Sequence, residues 1–281
     1  MNDALLLSRG KLTTFLECRR RFQLRYLEEA AWPAAPLAVA DEERLGLGQQ
    51  FHQLVQRHFL GLTIEPATIA DRTLRGWWLT FARFLPTLPH GRHRPHVRTL
   101  PELTLTIPIG QHLLHGRFDL LIIGESDGRA FAHLYDWKTG RPPDETMLRH
   151  DWQTRLYLAM LAEGGQALWG EGQAPLLPEQ ISLTYWYVAA PDKPHTFVYS
   201  PAWHERNWTE IRAIVAQIEA QQSAGGVWPL TEERAQCRVC AYQALCGRQE
   251  MGTNMGLVTA VPIPDDEPDD LFSIPLEPAL P

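Results

Sequence analysis

The chain has 281 residues, 44% of them hydrophobic and 21% charged, with a formal net charge of -7. That is enough apolar material for a substantial core and excludes a wholly disordered chain. No apolar run approaches the roughly 20 residues of a membrane span, and MNDALLLSRG is too short and wrongly flanked for a signal peptide, so a cytoplasmic, unexported protein is expected. The negative charge does not exclude nucleic acid as a partner, because of where it lies. Asp265, Asp266, Glu267, Asp269, Asp270 and Glu277 all fall within the last twenty residues, which hold no Lys or Arg. The body without that tail is nearly neutral.

Apolar residues at Leu12, Phe15, Leu16, Phe22, Tyr26 and Leu27 predict a first helix, with Ser8 or Thr13 as its cap and Cys18 upon it. A second helix is predicted over 43–60 and a third over 71–85. The character then changes. LTLTIP (103–108), HLLHGRFDLLII (112–123) and AFAHLYDWK (130–138) are rich in branched and aromatic residues, with turn chemistry at Ile109-Gly110 and Ser126-Asp127-Gly128, and predict an antiparallel meander. After the Gly140–Pro143 breaker come a helix over 151–163, strands near 181–189 and 195–199, and a helix over 203–222. Residues 1–250 are read as one domain. Residues 251–281, proline-rich and acidic, are expected to be disordered.

Two basic groups stand out in this body. Arg19, Arg20, Arg21 and Arg25 form one, and Arg92, Arg94 and Arg98 among His90, His93 and His96 form the other. Either suits phosphate contacts, although such clusters are commonly solvated surface.

The stretch LYDWKTG (134–140) carries the chemistry. On a strand, Asp136 and Lys138 project to one face, with Tyr135 and Trp137 on the other. Asp119, on the preceding strand, is a carboxylate among apolar neighbours and costly to bury without a partner. The turn at 126–128 brings Asp119 toward Asp136. Two facing carboxylates repel, and a hard divalent cation, Mg²⁺ or Mn²⁺, relieves the repulsion. Such an ion activates water and stabilises phosphate charge, with Lys138 orienting the nucleophile. An isolated D-x-K is more often a solvated ion pair, so its neighbours must decide.

Those neighbours are GQQFHQLV with His52, GRFDLL with Asp119, YDWKTG, and WQTRLYLAML with Gln153 and Tyr157. In this order, over roughly residues 8–247, the chain resembles the RecB-like branch of the PD-(D/E)XK nucleases. The resemblance implies an α/β, restriction-endonuclease-like core, with a mixed central sheet flanked by helices, and metal-dependent cleavage of DNA. It makes His52, Asp119 and Asp136 metal ligands and Lys138 the catalytic lysine. Gln153 and Tyr157, one helical turn apart, would face the site and contact DNA or orient the lysine. Glu102 stands where the family often has an acid on the first strand, in a supporting role.

Four cysteines occur, Cys18 and the C-x2-C-x5-C of Cys237, Cys240 and Cys246. In an unexported protein such a set suggests metal ligation, and its spacing suits Zn²⁺ or a [4Fe-4S] cluster equally. One cysteine before the nuclease motifs and three after them resembles AddB-type and CRISPR-associated adaptation nucleases, which implies the iron-sulfur cluster. Arg19 departs from the proline that relatives often place after the first cysteine. Either metal would staple the N-terminal and C-terminal segments together.

No G-x-x-x-x-G-K-[ST] loop is present, Leu5 standing where the upstream glycine of Gly10-Lys11 would be. A helicase or other repair protein is a further candidate partner besides DNA, and Leu271-Phe272 and Ile274-Pro275-Leu276 of the tail offer a docking motif, although a merely solubilising tail is the commoner case. The expected function is a DNA nuclease in repair, recombination or mobile-element defence. The alternatives are a noncatalytic DNA-binding or scaffolding module of a helicase-nuclease complex, and a zinc-stapled interaction protein. Trp152 and the run Tyr185, Trp186, Tyr187 are assigned to core and rim rather than to base stacking.

Overall fold

The computed structural model describes residues 4–30, 39–89, 97–126, 128–169, 176–238 and 240–248. In chain order they form β1 (Leu6–Leu7), α1 (Arg9–Glu17), α2 (Arg19–Tyr26), α3 (Val39–Phe59), α4 (Arg72–Phe84), β2 (Val97–Ile109), β3 (His112–Ser126), β4 (Arg129–Lys138), α5 (Glu145–His150), α6 (Trp152–Gly164), α7 (Gln166–Trp169), β5 (Ile181–Tyr187), β6 (His195–Val198), α8 (Pro201–Ala224) and α9 (Ala235–Arg238). The chain divides into two compact units. One comprises Met1–Asn2, Leu7–Ala35 and Ile218–Pro281, the other Asp3–Leu6 and Pro36–Gln217. The tail 251–281 with its docking motif, the group from His90 to His96, and Asp127 lie outside the described residues.

The larger unit is a mixed α/β fold. Strands β2, β3 and β4 form the antiparallel meander that alternating, branched sequence predicts, with Leu105 opposite Gly116 and Leu120 opposite Tyr135. β5 joins β4 in parallel, with Tyr185 opposite Asp136. A parallel pair requires a long crossover, here built from α5, α6 and α7. β6 then returns antiparallel on β5. A central mixed sheet flanked by helices results, as the restriction-endonuclease-like reading expects.

On one face of this sheet, Leu120, Ile122, Tyr135, Trp137 and Trp186 form a buried cluster with Phe51 and Val55 of α3 and Leu74, Trp78 and Phe81 of α4. Phe81 sets its edge against Trp137 at 4.9 Å and Trp186 at 5.2 Å between ring centroids. The other face is covered by α6, whose Thr154 is hydrogen-bonded to the Tyr185 hydroxyl at 2.9 Å. Tyr185, Trp186 and Tyr187 are all buried. Asp151 caps α6 by accepting from the Gln153 backbone N–H at 2.7 Å, which sets Gln153 in the first turn. Asn207 of α8 accepts from Arg155 of α6 at 3.1 Å, and His204 of α8 lies 2.9 Å from Glu163. Both ends of α6 are thus tied to α8.

Two helices differ from expectation. The stretch 12–27 is two helices and not one, for Cys18 is extended, with φ -160° and ψ 109°, and stands at the break. Its backbone N–H closes α1 on the Thr14 carbonyl at 3.0 Å, while its Sγ caps α2 by accepting from Arg21 N–H at 3.4 Å. The apolar spacing survives because each short helix keeps its own inward face. In addition, α5 precedes the helix expected at 151, started by Asp144, which accepts from Thr146 N–H at 2.8 Å.

In the smaller unit, Phe15 and Phe22 pack edge to face and Phe22 stacks on Trp228 at 5.7 Å. Gln23 joins the two segments. Its amide donates to the Gly226 carbonyl at 2.6 Å and accepts from Trp228 N–H at 2.7 Å.

Truncating Phe81 removes the ring on which Trp137 and Trp186 both rest. Phe81→Ala is expected to cost about 3–5 kcal/mol, read as a shifted urea midpoint at unchanged slope.

Candidate metal centre and active site

The site forms where two β-ladders give way to side chains. Pairing between β3 and β4 ends at Leu120 and Tyr135, and the next residues along each strand are Asp119 and Asp136. Beyond that point the Trp137 N–H donates to Asp119 Oδ2 at 2.6 Å instead of to a strand carbonyl. On the other side of β3, Glu102 stands opposite Asp119, flanked by the paired residues Pro101–Leu120 and Leu103–Phe118. Its φ is +50°, a left-handed conformation that costs a glutamate about 1–3 kcal/mol.

The same level breaks the alternation of β3. Gly116 and Phe118 face Tyr157 of α6, whereas Leu120 and Ile122 belong to the cluster under α3 and α4. Strict period-two geometry would keep all four on one face. The rotation at Asp119 lets its carboxylate meet His52, which α3 supplies.

His52 Nδ1 lies 3.1 Å from Asp119 Oδ1. His52, Glu102 and Asp119 each present a ligand atom within 4.8 Å of the others, the one such group among the described residues. One imidazole nitrogen and two carboxylate oxygens are a donor set for a divalent cation. Asp136 is turned toward a second arrangement. Its Oδ1 is 3.0 Å from Lys138 Nζ, and its Oδ2 accepts from Gln153 Nε2 at 2.6 Å. Lys138 in turn donates to Gln153 Oε1 at 3.4 Å. Tyr157 sets its ring 4.8 Å from Phe118.

The electrostatics follow from placing these charges out of water. Burial alone would lower the His52 pKa, but Asp119, its hydrogen bond, Glu102 and Asp136 outweigh burial and raise it to about 9. Burial pushes Asp119 up, and His52, the Trp137 N–H and Lys138 bring it below the usual carboxylate range. Asp136 is raised to about 6, chiefly by burial, with Asp119 adding and Lys138 opposing. Burial first, then Asp136, carries the Tyr157 hydroxyl well above its ordinary value.

All the residues singled out from the sequence in this unit, namely His52, Glu102, Asp119, Asp136, Lys138, Gln153 and Tyr157, therefore meet in one place. Glu102, expected in a supporting role, stands directly among the potential ligands. Sequence reasoning missed Arg117, whose Nε is 2.8 Å from Glu102 Oε2. Its position two residues before Asp119 was the available signal. The Trp137 N–H had none, since any residue but proline offers a backbone donor.

A profile of the PD-(D/E)XK nuclease superfamily matches residues 6–247. The chain belongs to this superfamily. Asp119 and Asp136 stand on adjacent strands, with Lys138 two residues after Asp136. The crystal structure of SSO0001 is similar at 15% identity, covering 89% of this chain and 90% of that one with a TM-score of 0.36. Comparison with curated protein sequences gives no match. Among the described residues no helix is long and apolar enough to cross a membrane.

The cysteines form a separate constellation in the smaller unit. Cys18 is buried, Cys237, Cys240 and Cys246 are half-buried, and all four are free thiols. Burial raises the Cys246 thiol, and Cys240, Cys18 and Cys237 raise it further against the opposing charge of Arg20. Arg248 donates to Cys237 Sγ at 3.2 Å and to the Thr231 carbonyl at 2.6 Å.

A cation bound at His52 must displace the proton that the imidazole holds up to about pH 9. Mn²⁺ affinity should therefore rise about tenfold per pH unit toward pH 9 and level off above it. Calorimetric titrations between pH 7 and 9.5 check this, and His52→Gln should flatten the slope.

Proposed function

We propose that the chain is a divalent-metal-dependent deoxyribonuclease of the RecB-like kind, acting in DNA repair, recombination or defence, with residues 1–250 as its nuclease domain. The observation that carries this reading is the His52, Glu102 and Asp119 group lying beside the Lys138–Asp136 pair in a chain of this superfamily. A bound Mg²⁺ or Mn²⁺ would supply Lewis acidity and a hydroxide-like water at neutral pH.

The protein's own part follows from the geometry. His52, Asp119 and Glu102 would hold the cation, and the Trp137 N–H fixes the angle of Asp119. Asp136 holds Lys138 Nζ at 3.0 Å, so a fixed ammonium would face the negative charge that grows on the phosphate. Gln153 bridges the pair with its donor end on Asp136 and its acceptor end toward Lys138, which holds both in one orientation. Tyr157 keeps its proton and stands on the next turn of α6. Asp136, raised to about 6 chiefly by burial, would be the further carboxylate available to the cation.

For the four cysteines, the order of one before and three after the nuclease motifs supports a [4Fe-4S] cluster. Cys18, Cys237, Cys240 and Cys246 would hold it and join α2 to the C-terminal segment inside the smaller unit. A helicase partner would supply the strand separation for which this chain has no nucleotide-binding loop.

With end-labelled single- and double-stranded DNA, cleavage is expected to require Mg²⁺ or Mn²⁺ and to fall at least about a hundredfold in Lys138→Ala and Asp119→Ala. DNA binding without cleavage by the intact protein would favour the noncatalytic module instead. Protein purified without oxygen is expected to be brown and to contain iron, and Cys18→Ala should lose both iron and thermal stability. Zinc in place of iron would refute the cluster assignment.

A further inference from the structure

We propose that Arg117 is a positioning residue for the metal centre, its guanidinium holding Glu102 in place as a ligand. This rests on the metal-dependent reading above. Three observations carry it. Glu102 has φ +50°, a conformation that neither β-strand nor glutamate favours, although the ladder on either side of it is intact. Its carboxylate is nearly buried, with 12% of the side chain exposed, and shares with His52 and Asp119 the group of potential ligands. Arg117 Nε holds that carboxylate at 2.8 Å from the neighbouring strand.

A strained backbone persists only where its surroundings over-determine it. The strand on each side fixes where the chain of Glu102 enters and leaves, and Arg117 fixes where the side chain goes. Arginine suits this task because its planar fork binds a carboxylate in a defined direction, while the ammonium of a lysine acts as a point charge. Arg117 lies two residues before Asp119, so one strand carries a ligand and the residue that positions another.

The sign of the effect separates positioning from simple proximity. A guanidinium beside a cation site repels the cation. If Arg117 were only an electrostatic neighbour, removing it would tighten metal binding. If it positions Glu102, removing it weakens binding despite the relieved repulsion.

The experiment is Mn²⁺ titration by calorimetry at pH 8.5, without DNA, on the full chain and on Arg117→Gln, Arg117→Lys, Glu102→Gln, the Glu102→Gln/Arg117→Gln double variant and Asp119→Asn, each first shown to be folded by circular dichroism. Arg117→Gln is expected to weaken binding about tenfold, Arg117→Lys by less, and the double variant no more than Glu102→Gln alone. Unchanged or tighter binding in Arg117→Gln overturns the proposal, as does a double variant whose losses add. Should Arg117→Gln fail to fold, Arg117→Lys decides, since wild-type affinity there alongside a loss in Glu102→Gln is equally fatal. If the wild type binds no Mn²⁺, or Asp119→Asn binds as the wild type does, the metal reading itself falls and this inference with it. If Asp119→Asn loses binding and Arg117→Gln does not, only the role of Arg117 is lost.

Discussion

The larger unit is organised around a carboxylate, Asp119, taken out of water on a strand whose neighbours are apolar. Such a group must be compensated, and each compensation recruits a different element. α3 contributes His52, β4 contributes the Trp137 N–H, and Lys138 adds its charge from the same strand. The aromatic packing of Phe81 with Trp137 and Trp186 holds β4 and β5 beneath α4, so the donor from Trp137 arrives at a fixed distance. Packing on one face of the sheet thereby sets the electrostatics at its edge.

Proton and metal are alternatives at this centre. With no cation, His52 bears a charge that Asp119 balances. Because its pKa is raised from 6.5 to about 9, the pair contributes stability that is complete below pH 6.5 and is lost as pH rises through 9. A cation bound there would take over the same role at higher pH. The two carboxylates divide the work, Asp119 remaining ionised while Asp136, deeper and beside a second acid, titrates near 6.

Much of this was legible in the sequence, for stated physical reasons. Period-two runs from Leu103 to Lys138 revealed the meander, and residue order around Asp119 and Lys138 revealed the superfamily. What stayed hidden was local geometry that composition does not encode. Glu102 is not a residue type that signals a left-handed backbone, so the rotation of β3 at Asp119 could not be foreseen. The interruption at Cys18 leaves the apolar spacing of Leu12, Phe15 and Phe22 intact and was equally invisible. Arg117 went unread because its meaning lies in a partner on β2, fifteen residues away.

The break at Cys18 has a mechanical side. One sulfur atom both starts α2, by accepting the Arg21 N–H, and belongs to the thiol quartet. A thiolate is a stronger acceptor than a thiol, and metal ligation removes the proton. Filling the cysteine site would therefore tighten the helix cap through the same atom, and oxidation of Cys18 would loosen it. Were the four cysteines to hold a metal, the first turn of α2, with the arginines at 19, 20 and 21, would register it as reduced helix fraying rather than as any change of overall fold.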